Sequence, residues 1–102
     1  MGGGIDLQPN PQYVLDAQNL AANGQVSFCK HANDMLSERC ISIDDVIEAI
    51  AKGTCIEQQL PGNDDTGKQY KCNKLVFYRN DINLEVVVAL NCPLYVVTAY
   101  FK

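Results

Sequence analysis

"LEVVVALNCPLYVVTAYF", residues 84–101, holds the two most β-prone runs of the chain. Both are rich in β-branched and aromatic residues, and Pro93 between them prevents one continuous strand. The stretch therefore predicts two strands. In the second, simple alternation puts Tyr95, Val97, Ala99 and Phe101 on one side and Leu94, Val96, Thr98 and Tyr100 on the other. The first set is the expected helix-facing side. Thr98 and Tyr100 then project from the opposite face, where an open sheet can hold a ligand. A one-residue slip would exchange the two sets.

Upstream, "RNDIN" (79–83) reads as a hairpin connection and "KQYKCNKLVFY" (68–78) alternates polar and apolar positions. "PGNDDTG" (61–67) is built from turn residues, and "TCIEQQL" (54–60) is a short strand. Its Asn-Asp-Asp run lacks the further ligands of a cation site and reads as a turn. Before Gly53 the period changes to helical. "NPQYVLDAQNLAANG" (10–24) opens on Asn10-Pro11 and stops at Asn23-Gly24. A second helix is predicted over 27–39, with Phe28, Ala32, Met35 and Leu36 as its apolar stripe. A third opens at Ser42, where Ser42 and Asp45 resemble a capping box, and closes at Lys52-Gly53. The expected fold is α+β: two or three N-terminal helices packed on one face of a roughly four-stranded antiparallel sheet. Residues 1–9 are read as a flexible segment and 10–102 as a single domain, with no internal repeat.

Composition bounds the function. Of 102 residues, 47% are apolar, which excludes a disordered tail, and no apolar run is long enough to span a membrane. "MGGGIDLQPNPQ" has neither a basic start nor an apolar core, so no signal peptide is expected. Its glycines read as a cloning remnant or the trimmed end of a larger protein. The net charge of −4 disfavours general nucleic-acid binding, so RNA contact would need a local basic patch. Its candidates are Lys30, Arg39, Lys68, Lys71, Lys74 and Arg79. Five cysteines, widely spaced and without a CxxC pair, read as free thiols in a reducing cytosol. A zinc site on Cys29, His31 and a distant cysteine is the weaker alternative. No metal and no cofactor is expected.

"SFCKHANDMLSERCIS" (27–42) contains the only histidine of the chain. On a helix, His31 lies at the edge of the apolar stripe and Arg39 nearly beneath Phe28. Their Cα atoms are then ~12 Å apart, too far to pair directly. One reading is structural, with Arg39 bonding a strand carbonyl or Glu38. The other is metal-independent RNA cleavage. Histidine suits proton transfer near neutral pH, and arginine suits phosphate because its fork stays charged.

"KHANDMLSERCISIDDVIEAIAKG" also resembles the opening of a family of small bacterial proteins. That family carries His-Ala, Met, Glu-Arg-Gly-Ile-Ser and Asp-Val-x-x-Ala-x-x-x-Gly, and ends in a Val-Val-Thr-x-Tyr strand. The matches here are His31, Ala32, Met35, Glu38, Arg39, Ile41, Ser42, Asp45, Val46, Ala49 and Gly53, then Val96, Val97, Thr98 and Tyr100. Cys40 departs from the family's glycine. The family is placed with the RelE- and barnase-like (BECR-fold) ribonuclease toxins. The resemblance implies a cytoplasmic metal-independent endoribonuclease, of a toxin–antitoxin pair or delivered into a target cell within a larger secreted protein. Its substrate would be tRNA, rRNA or mRNA, and its partner a cognate antitoxin or immunity protein, with no membrane partner. His31, Arg39, Thr98 and Tyr100 would be catalytic, and Lys30, Lys71, Lys74 and Arg79 would bind RNA. The acidic charge departs from that picture and favours the alternative, a non-enzymatic antitoxin, immunity or inhibitor module on the same scaffold.

Overall fold

The computed structural model describes residues 9–63, 69–70, 73–91 and 93–102. The chain opens with helix α1 (Pro11–Ala22), capped by Asn10, whose side chain accepts from the amides of Gln12 and Tyr13. This satisfies donors that a helix start leaves open, and Pro11 in the first turn has no amide to lose. Gly24, at φ 72°, turns the chain out of the helix. Strand β1 (Val26–Phe28) follows, then α2 (Lys30–Glu38) and α3 (Ile43–Lys52). Ser42 Oγ accepts from the Asp45 amide at 3.0 Å, while Asp44 and Asp45 in the first turn and Lys52 in the last complement the helix dipole.

The second half supplies β2 (Thr54–Gln59), β3 (Gly62–Asn63), β4 (Gln69–Tyr70), β5 (Lys74–Arg79), β6 (Leu84–Ala89) and β7 (Leu94–Phe101). Five strands form one mixed sheet in the order β1-β7-β6-β5-β2, and β3 pairs with β4 separately. The antiparallel set β2, β5, β6 and β7 corresponds to the expected four strands, except that the second, expected over 68–78, begins only at Lys74, and Gln69–Tyr70 pairs with β3 instead. The fifth corrects that expectation. Val26–Phe28 pairs in parallel with Leu94, Tyr95 and Val96, so Ser27 and Phe28 belong to a strand and not to the second helix. Three residues carry too short a pattern to announce a strand. Pairing with the far end of the chain makes this one.

The helices cover one sheet face. Ala17, Ala21, Ala32, Leu36, Val46, Ala49 and Ile50 pack with Leu75, Phe77, Leu84, Val86, Val88, Leu94, Val96 and Ala99 in one core. The predicted facing of the last strand is corrected here. Val87 pairs with Thr98 but Val88 pairs with Val96, so Val97 is an extra residue in a β-bulge. The bulge shifts the alternation. Leu94 and Val96 therefore point at the helices, while Tyr95 and Val97 join Val76, Val87 and Ala89 on the other face. Of the four residues expected under the helices, only Ala99 belongs to that core. Phe101 pairs with buried Leu84 but remains 45% exposed. Thr98 and Tyr100 keep the expected side, opposite Val87 and Glu85.

Candidate functional site

The i, i+4 spacing of His31, Met35 and Arg39 puts them on one stripe of α2. That stripe meets β7 beyond Val96, the last residue β1 pairs. Thr98 Oγ1 donates to Met35 Sδ at 3.4 Å, and Arg39 Nη1 donates to Ala99 O at 2.8 Å. Arg39 thus satisfies a carbonyl on the free edge of β7. His31 lies at the exposed, N-terminal end of the stripe, and its side chain makes no hydrogen bond or ion pair with a described residue. Lys30 beside it is also exposed. The α2–β7 edge therefore joins Arg39 and Met35 to Ala99 and Thr98, while His31 stands two turns before Arg39 on the same helix.

Tyr100 belongs to a neighbouring corner. Tyr78, Glu85 and Tyr100 stand directly opposite one another on β5, β6 and β7, on the face turned away from the helices. Glu85 is 6% exposed, and its carboxylate pairs with Lys102 Nζ at 3.3 Å. The same ammonium lies 5.8 Å from the Tyr78 ring centroid, and the Lys102 amide donates to Asn83 O. The sequence reading passed over Glu85. Its signal was a single carboxylate inside the otherwise apolar "LEVVVAL".

Of the expected RNA-contacting cations among the described residues, Lys30 starts α2 and Lys74 and Arg79 stand at the two ends of β5. Arg79 is enclosed by carboxylates: Nη1 lies 3.3 Å from Asp45 and 3.2 Å from Glu48, and Nε 2.8 Å from Asp81. Its hydrogen bond to Asp81 raises the guanidinium pKa and holds the Asp81 carboxyl below its ordinary value. Three carboxylates outnumber one guanidinium, so this spot is no basic patch. Lys74 is buried, opposite Gln59 and Ala89. Lys68 and Lys71 lie outside the described residues, as do Cys72, Cys92, Asp64 and Asp65.

Cys29 Sγ accepts from the Ala32 amide at 3.3 Å and serves as the N-cap of α2. Among the described residues no group of three or more histidine, cysteine or acidic side chains is placed to hold a metal ion. Cys29, Cys40 and Cys55 are free thiols, and burial pushes the Cys55 thiol pKa up. No helix among the described residues is long and apolar enough to cross a membrane.

These features define an α+β domain in which three helices cover one face of a five-stranded mixed sheet and the second helix grips the part of β7 that β1 does not pair. Residues 28–101 match the model of DUF4258, described as a domain of unknown function, and the chain belongs to that family. The match runs from the end of β1 through β7 and leaves α1 outside it. No curated protein and no solved structure matches the chain.

Proposed function

We propose that this protein is a RelE/barnase-like, metal-independent endoribonuclease of the bacterial toxin kind, acting at the α2–β7 edge. The observation that carries the reading is the position of His31. It shares a helical stripe with the two residues that grip β7, yet remains exposed and unpartnered among the described residues. An imidazole held on a rigid element and open to solvent can exchange protons with a bound substrate. In RNA cleavage it would accept the proton of the 2′-hydroxyl as that oxygen attacks phosphorus. The P–O5′ bond would break as the leaving oxygen takes a proton from water or the Tyr100 hydroxyl, leaving a 2′,3′-cyclic phosphate and a 5′-hydroxyl. Thr98 would bond a phosphate oxygen and Tyr100 would stack or donate at the adjoining corner. Lys30 and the guanidinium N–H groups of Arg39 not used on Ala99 would face the developing charge.

The second reading, a non-enzymatic antitoxin, immunity or inhibitor module, draws on charge. The net charge is −4, and Arg79 is surrounded by carboxylates while Lys74 is buried. An acidic domain pairs readily with a basic toxin.

Incubation with total RNA in EDTA separates the two. Cleavage by the wild-type protein, lowered ~100-fold or more in His31→Ala with an unchanged melting temperature, is the expected outcome. Intact RNA with the wild-type protein overturns the nuclease reading and leaves the binding module.

A further inference from the structure

The sheet has two edges, and they are treated differently. On one side β1 is three residues long, and beyond it α2 shelters β7 through the Arg39 and Met35 contacts. On the other side β2 runs for six residues, Thr54–Gln59, paired with β5 along its inner side. Among the described residues no backbone group pairs with its outer side. Exposed strand edges are usually blunted by lysine, proline or bulges. "TCIEQQ" has neither lysine nor proline. Its one device is the bulge between Cys55 and Glu57, and the residue there, Ile56, is apolar and 46% exposed. Leu60, just past the strand, is 42% exposed.

We propose that the outer edge of β2 receives an extended strand from a basic polypeptide, which adds to the sheet by main-chain hydrogen bonds. Main-chain pairing supplies affinity in such additions, and alternate side chains supply specificity. Ile56 and Leu60 call for apolar side chains in the incoming strand. Charge selects the rest. The only carboxylate on β2 is Glu57, and the whole chain carries −4. A second copy would bring like charge to this edge, whereas lysine or arginine opposite Glu57 complements it. The surface lies on the sheet edge opposite the His31 site and serves either functional reading.

The test uses the isotope-labelled protein and a six-residue peptide alternating lysine and valine, matched in length to β2. The comparison peptides alternate glutamate and valine, or carry N-methyl groups on the lysine–valine backbone. The lysine–valine peptide should shift the amide resonances of residues 54–59 and slow exchange of the outward-facing amides ~10-fold or more. The other two should do neither. Glu57→Lys should reverse the preference in favour of the glutamate–valine peptide. The proposal is overturned if the lysine–valine peptide fails to bind or shifts resonances elsewhere. Binding that survives N-methylation or ignores Glu57→Lys overturns it too. Sedimentation should give a monomer; a dimer dissolved by Glu57→Pro would assign the edge to a second copy instead.

Discussion

Cys40 sits at φ 56°, in the left-handed region that costs an ordinary side chain ~1–2 kcal/mol. It follows Arg39, the C-cap of α2, where the chain turns back toward Ile41. Cys40→Gly should therefore stabilise the domain by ~0.5–1 kcal/mol, strain relief exceeding the entropy glycine adds to the unfolded chain. Thermal unfolding should show a rise of roughly 2–8 °C. The two positive-φ side chains differ, since Asn83, at φ 52°, is a residue type that tolerates this region. Gly53 is constrained for another reason. Its φ is ordinary, but an added Cβ would lie 2.1 Å from Ala49 O and 2.8 Å from Tyr78 O. Both are backbone atoms, so α3 or β5 must move. Gly53→Ala should cost ~1–3 kcal/mol in denaturant unfolding, as overpacking does. The helix end was legible in "KG"; the close approach of Tyr78 that requires glycine was not.

At the scale of elements, α2 and β7 form one unit. Ala32 and Leu36 bury the inner side of α2, and the Met35–Arg39 side holds the strand edge. The sequence leaves two roles open for Arg39, a strand-carbonyl partner or a phosphate clamp. The bond to Ala99 O gives the side chain the first of them. Arg39→Ala should destabilise the domain by ~1 kcal/mol, because a part-buried carbonyl loses its donor. Arg39→Lys should recover part of the loss, measured by chemical denaturation alongside His31→Ala. A variant that lowers cleavage through Arg39 must be compared at equal folded fraction.

Across the whole molecule, Arg79 ties the hairpin after β5 to α3 through Asp81 on one side and Asp45 and Glu48 on the other. The folded-state pKa of Asp81 is lowered, chiefly by its hydrogen bond from Arg79. A carboxyl lowered on folding contributes stability above its unfolded pKa, and that contribution is lost as pH falls through its folded pKa. The contribution should therefore be complete above about pH 4 and disappear under stronger acid. Asp81→Asn should flatten the decline of melting temperature over that acid range. High salt should shrink the difference between the two proteins, because the Asp81 carboxylate is largely open to solvent.

Features written within a few neighbouring residues were determined by the sequence itself. Asn10-Pro11 and Ser42 with Asp45 start helices, and the helical and alternating patterns divide the chain near Gly53. Such signals depend on contacts one helical turn or one strand step apart. The tertiary structure decided whatever depends on distant partners. Val26–Phe28 became a strand only by pairing with Leu94–Val96, and Val97 was displaced by the bulge against β6. Both faces of β7 carry apolar residues, so hydrophobicity alone did not say which side meets the helices. The same distance effect reshaped the candidate site. Ala99, 60 positions along the chain, takes up Arg39, and Asp45, 34 positions away, helps neutralise Arg79. A side chain's charge is legible from its letter, but what that charge does is set by the groups folding brings against it.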